Sequence, residues 1–264
     1  MVTLIFQAAW RANGSVCQIH TASPTRKSRL NVIARADDTT FGILSSRIHE
    51  VWSLAQASIH GDGADGGRPT CNAKSCFETF PFPAGLTPAD TAHQRTETLP
   101  DGTIIPAGIS EQKVPVAPVE YALSAIKNKV IKLVPENGQH ASQTLRNHAI
   151  AQAAKKLNDL RCNWLNPPEW THQVPEVIPL GLDQSPYPDR IEPRPGISET
   201  DLNALQQRTL THLYNIRPAW LSMAHQQLDL AVAAAYGWAD YNAAMPEQDI
   251  LRRLLVLNQK TSAK

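Results

Sequence analysis

The string Asn166-Pro167-Pro168-Glu169-Trp170 has the most specific chemical precedent in this chain. Enzymes that modify an extruded base use Asn-Pro-Pro-aromatic to hold the target amino group and stack on its ring. Here Glu169 stands at the aromatic position, and the string closes a helical pattern, LNDLRCNWLNPPEW, where a base pocket needs a strand end. The prolines therefore read as helix stops. Gly61, Gly63 and Gly66 satisfy the G-x-G-x-x-G spacing that cradles a pyrophosphate between strand and helix. A helical pattern precedes them, however, and Arg68-Pro69 follows, so a turn is expected. Asp62 and Asp65 share that loop without the ligand spacing or terminal Glu of a calcium hand. Cys71 and Cys76, with His60 and His93 nearby, lack the paired CxxC knuckles of a zinc site, and packing is the expected role. No GxSxG elbow, Walker loop or HExxH occurs. His225 falls on an apolar helical face, where a hydrogen-bonded core histidine is expected. No catalytic, cofactor-binding or metal-ligating residue is assigned.

Cations remain. The net charge of +1 hides an asymmetry, because residues 1–36 carry Arg11, Arg26, Lys27, Arg29 and Arg35 and no acid. Such a run suits phosphate contact or, equally, a solvated basic arm. The four cysteines, Cys17, Cys71, Cys76 and Cys162, have no disulfide rhythm, which points to reduced thiols and a cytoplasmic setting. The opening VTLIFQAAW has no positive residue before a short apolar run, and no stretch approaches the roughly 18 apolar residues of a membrane span. Neither export nor a membrane partner is expected. At 264 residues and 42% apolar, the chain can bury a core in one large domain or two small ones.

The elements that must position these groups follow from periodicity. Residues 30–36 (LNVIARA) alternate and predict a strand ending at Asp37 and Asp38. Phe41, Leu44, Ile48, Val51 and Trp52 recur at helical spacing and predict one helix, with Arg47, His49 and Glu50 on its other faces. After the glycines, residues 75–82 read as an aromatic strand ended by Pro81 and Pro83. PDGTIIPAG at Pro100 predicts a turn between short strands, and residues 119–134 an amphipathic helix. Leu145, Ile150, Ala154, Leu157, Leu160 and Trp164 form one apolar stripe of a helix stopped at Asn166. The proline-dense residues 167–197 read as an extended tether laid on the surface through Val177, Ile178, Leu180 and Tyr187. Ser198 and Asp201 make a capping start for a helix running to Arg217, with Leu202, Leu205, Thr209 and Leu213 inward. A second helix carries Leu221, Ala224, His225, Leu228, Val232 and Ala235 and ends at Gly237. A third begins near Pro246 with Ile250, Leu251, Leu254 and Leu257 inward, giving three short-linked helices that predict a small bundle.

Five blocks in order, NVIARADDTTFGILSSRIHEVWSL, CFETFPFP, AAKKLNDLRCNWLNPPE, RTLTHLYNIRPAWLSMAHQQLDLAVAAAYGW and ILRRLLVLN, cover about a third of the residues. Together they resemble the C-terminal third of the MmeI-like, type IIL restriction-modification methyltransferases. The intact enzymes of that family join an endonuclease domain, a helical connector, a methyltransferase, a target-recognition domain and a C-terminal helical domain, and transfer a methyl group from S-adenosylmethionine to adenine in double-stranded DNA. The resemblance implies an α+β chain: an unplaced basic segment at 1–29, part of a mixed α/β target-recognition domain at 30–139, and a C-terminal helical domain at 140–264 with its proline-rich linker at 167–197. Neither a methyl-donor glycine loop nor a true catalytic tetrapeptide occurs before Leu30. A truncated or split-gene product is therefore expected, reading DNA without its own catalytic domain, or acting as a scaffold or specificity subunit that completes a separately encoded methyltransferase domain. S-adenosylmethionine belongs to the intact enzyme and no cofactor to this chain. Phosphate or base contact is expected of Arg26, Lys27, Arg29, Arg35, Arg47 and Lys74. Trp52, Phe77, Phe80 and Phe82 are expected to pack between the first two blocks.

Overall fold

A computed structural model describes residues 11–12, 15–16, 35–60, 68–70, 72–107, 139–175, 180–181, 183 and 189–262. It is an α+β protein in which helices supply the core and, among the described residues, each strand pairs within a two-stranded antiparallel ribbon. In chain order the elements are β1 (Arg11–Ala12), β2 (Ser15–Val16), α1 (Asp38–Ser45), α2 (Arg47–Gln56), β3 (Ser58–His60), β4 (Arg68–Thr70), a π-helical turn (Ala73–Phe77), β5 (Thr96–Thr98), β6 (Ile104–Pro106), α3 (Gln139–Leu165), β7 (Thr171–Val174), β8 (Arg190–Pro193), α4 (Glu199–Gln207), α5 (Leu210–Ile216), α6 (Ala219–Ala235) and α7 (Glu247–Ser262). Arg35 and Ala36 lie in no strand, and the remainder of the strand expected at 30–36 falls outside the described residues. So do the helix expected at 119–134 and the glycines Gly61, Gly63 and Gly66.

Where one helix is expected from Phe41 to Trp52, there are two. The Asp37 carboxylate caps α1 by accepting from the Thr40 backbone N–H at 2.6 Å. Ser46 then ends α1 and starts α2: its hydroxyl donates to the Ile43 carbonyl at 2.7 Å and accepts from the His49 N–H. The apolar spacing survives that break, so periodicity alone does not reveal it. His49, expected on an outer face, is fully buried.

Helix α3 packs against both α1 and α6, and α7 packs against α2. The core therefore joins Phe41, Ile43, Ile48 and Trp52 to Ile150, Ala154 and Leu157 and to Leu221, Leu228, Ile250 and Leu254. Elements on either side of residue 139 share it. Of the three helices expected to bundle together, α6 packs chiefly on α3 and α7 on α2. The run expected to be one helix to Arg217 breaks at Arg208. Its first half, α4, is capped by Ser198 accepting from the Asp201 N–H but has no fully buried residue, whereas Thr209 caps α5, which buries Leu210 and Leu213.

Two further expectations change. Residues 75–82 form no strand; a π-helical turn and tight turns replace it, and Phe80 is wedged against His49 and Trp52 at ring separations of 4.8 and 6.4 Å. Pro81 and Pro83 lack the N–H a ladder needs, and the aromatic rings find burial without one. The tether expected at 167–197 closes on itself as the β7–β8 ribbon, with Thr171 opposite Pro193 and Val174 opposite Arg190. Leu180, expected as an anchor, is fully exposed, and Val177, Ile178 and Tyr187 fall outside the described residues. As expected, α3 stops at Leu165 before the two prolines, β5 and β6 flank the PDGT turn, and α6 and α7 lie where their stripes place them.

Gly42 marks the tightest crossing. A Cβ there would lie 2.7 Å from Ile150 Cγ2 and 2.9 Å from Ala154 Cβ, both on α3. Gly42→Ala is expected to force α1 off α3 and cost about 1–3 kcal/mol in chemical denaturation.

Candidate nucleic-acid interface

Of the six cations expected to meet DNA, Arg26, Lys27 and Arg29 fall outside the described residues. The structure places the other three in different settings. Arg35 donates to the carbonyls of Thr91 and, at 3.0 Å, Pro88, tying the lead-in of α1 to the loop before β5. Arg47 sits at the first position of α2, where its guanidinium donates to the Ala243 carbonyl at 3.2 Å and the Met245 carbonyl at 2.9 Å. Both side chains thus spend donors on carbonyls of their own chain. Lys74 stands exposed in the π-helical turn. That turn follows the β3–β4 ribbon, whose register pairs Ser58 with Thr70 and His60 with Arg68, so α2 leads directly into the ribbon.

What fixes this ribbon-bearing unit is a set of polar contacts across very long sequence separations. The Asp229 carboxylate on α6 accepts the Arg47 backbone N–H at 2.8 Å, an anion on an orphan donor of the α2 N-terminus. The Tyr236 hydroxyl donates to the Pro81 carbonyl at 2.8 Å, and Asn258 Nδ2 to the Thr79 carbonyl at 2.6 Å. Thr79 in turn accepts from the Trp52 indole at 3.3 Å. Block two is therefore pinned between α2 and the C-terminal helices. Phe80 and Trp52 are buried there as expected, with Phe77 and Phe82 half-buried at its edge. None of Asp229, Tyr236 or Asn258 carries a local sequence signal, because each partner lies more than 150 residues away.

Burial sets the charge state of this seam. His49 Nδ1–H donates to the Leu44 carbonyl at 2.9 Å and Nε2 accepts from the Ser53 hydroxyl at 3.2 Å. Desolvation lowers its pKa to about 4, keeping the ring neutral. His225, hydrogen-bonded through Nε2 to the Tyr214 hydroxyl at 2.8 Å, is also lowered to about 4, by burial first and then by Arg161 and Arg217. It is the core histidine its helical face implied. Desolvation raises Asp229 to about 7, against the Arg47 N–H and guanidinium, and raises Asp38 to about 6, against its bond from the Ile104 N–H at 2.8 Å. Cys76 is a buried free thiol, and among the described residues no His/Cys/Asp/Glu cluster could hold a metal. The NPPEW turn is a helix stop: the Trp170 and Thr171 N–H groups both donate to the Pro167 carbonyl at 2.9 Å.

No family model, no curated protein and no solved structure matches the chain.

The buried acids and histidines have opposite linkage. The folded acids bind protons that the unfolded chain, near 3.8, does not, so they add stability as pH falls from 7 toward 4. The folded histidines refuse protons that the unfolded chain takes up below 6.5, so they remove stability over nearly the same window. The native protein is expected to change little in stability between pH 7 and 4.5. Asp229→Asn keeps the acceptor for Arg47 but removes the largest acid contribution. In urea titrations from about pH 8 down to about pH 4.5 it should be more stable than the native chain above pH 7 and then lose up to about 1.4 kcal/mol per pH unit for each histidine left uncompensated.

Proposed function

We propose that this chain performs DNA target recognition within an adenine-specific, S-adenosylmethionine-dependent methyltransferase of the MmeI-like restriction-modification type. Residues 30–139 are its recognition part and residues 140–264 its helical part. The chemistry resides in a methyltransferase domain beyond these residues, encoded with them or separately. The observation that carries the reading is the order of five family-like blocks along the chain. A second supports it: all five contribute to one packed core, through Trp52, Phe80, Leu157, Leu228 and Leu254.

A recognition part needs rigid placement of a few exposed groups more than it needs a reactive centre. The β3–β4 ribbon and the π-helical turn supply such a platform, held at its base by Asp229, Tyr236 and Asn258. Phosphate contacts give affinity that falls with salt, while groove contacts choose the sequence.

Titration of the purified chain with labelled duplex at two salt concentrations tests this. Micromolar-range binding that weakens steeply as salt rises is expected, with no saturable binding of S-adenosylmethionine in a parallel titration. Saturable donor binding would falsify the division of labour, and salt-insensitive or absent duplex binding would remove the recognition role.

A further inference from the structure

Some cations of the described residues are ion-paired and others are not. Lys155, Arg252 and Arg253 each sit within 3 Å of a carboxylate, respectively Asp159, Asp249 and Asp240, and Arg190 lies 3.4 Å from Glu192. Arg161, Arg194, Arg208 and Arg217 have no such acid partner among the described residues, and they gather where the end of α3 meets the β7–β8 ribbon and α5. Arg208 lies over the rings of Trp170 and Trp164 at 4.5 and 5.4 Å, with one amino group on the Trp164 carbonyl. Arg194 grips the same turn from its other side, its Nε donating to the Pro168 carbonyl at 2.8 Å. Arg161 lies over the Tyr214 ring at 5.8 Å, and its buried Nε has no partner. Arg217 closes α5 in the left-handed region at φ 40° and, with Arg161, acts on His225. Two acids lie close: Glu50 stands half-buried near Arg217, and Glu169 is exposed at the apex of the proline turn.

We propose that these four guanidinium groups form a track for the phosphate backbone of duplex DNA, separate from the β3–β4 ribbon and resting on the DNA-recognition reading above. The packing of Arg208 on two indoles holds its charge in a fixed place, which lowers the ordering cost of meeting an anion. The seven residues of α5 lie between Arg208 and Arg217 and rise about 10 Å. One strand of a duplex places a phosphate about every 3.4 Å of its axis, so the span faces several of them. Guanidinium forks suit phosphate oxygens, and the unspent amino groups of Arg194 and Arg217 are the most open to them. The same stretch gives the NPPEW turn a role with no catalysis in it: it positions Arg194 and Arg208.

The test compares the native chain with the Arg194→Gln/Arg217→Gln double variant and with Arg252→Gln, which removes an exposed but ion-paired cation. Duplex affinity is measured by fluorescence anisotropy from about 50 to 200 mM salt, the range over which phosphate contacts dominate the response. The double variant should unfold at the native temperature yet show a salt slope smaller by about 2, roughly 0.9 per lost contact, and bind at least about tenfold more weakly near 0.1 M salt. Arg252→Gln should keep the native slope. A native slope in the double variant overturns the track while leaving DNA recognition standing. An equal loss in Arg252→Gln overturns it as a general charge effect. Failure of the native chain itself to bind duplex sinks the recognition reading and the track with it.

Discussion

The close crossing of α1 over α3 at Gly42 is the constraint on which the rest of the structure depends. With no Cβ at that position, the two backbones approach until Ile150, Ala154 and Leu228 fill the space a side chain would take. That approach brings a short, almost wholly buried helix of the N-terminal half into the centre of a core otherwise made by α3 and α6. Everything downstream of α1, including α2, the β3–β4 ribbon and the aromatic wedge of Phe80, is oriented by it. Polar contacts then fix the orientation at the rim: Asp229 holds the α2 N-terminus, and Arg47 reaches past it to the carbonyls before α7.

A good deal of this fold was legible in the sequence, and its gaps have physical reasons. The long stripe of α3, the stop at Pro167, the Ser198 cap, the PDGT turn and the stripes of α6 and α7 are local signals, and each element stands where they put it. Breaks made by single hydroxyls were not legible. Ser46 and Thr209 each interrupt an apolar periodicity that continues on both sides, so the pattern reads as one helix. The FETFPF run has the composition of a strand, but Phe80 gains more by entering the gap beside His49 and Trp52 than it would on a ladder broken by two prolines. His49 lay on the polar side of the helical pattern and is buried because Leu44 and Ser53 satisfy both ring nitrogens locally.

Charge type can be read from a sequence; whether a cation is already occupied depends on carbonyls and carboxylates brought from far away. Arg35 and Arg47 fall to that effect, since their donors close loops 50 to 200 residues distant. Arg208 likewise donates to a carbonyl, that of Trp164, but two tryptophans flanking a proline turn also give its guanidinium a fixed seat. The string that resembles a catalytic tetrapeptide is thus put to use as a scaffold for charge, with the histidines and acids of the seam held in neutral or capping roles by burial.

Native-state hydrogen exchange followed residue by residue tests most directly whether one core unites the two halves. Amides of α1, the middle of α3 and α6 should open with a common free energy, equal to that of global unfolding and equally sensitive to denaturant. Rapid, denaturant-independent exchange throughout α1 and α2, while α3 and α6 stay protected, would mean that the N-terminal helices only rest on an independent helical domain, and the shared core would be refuted.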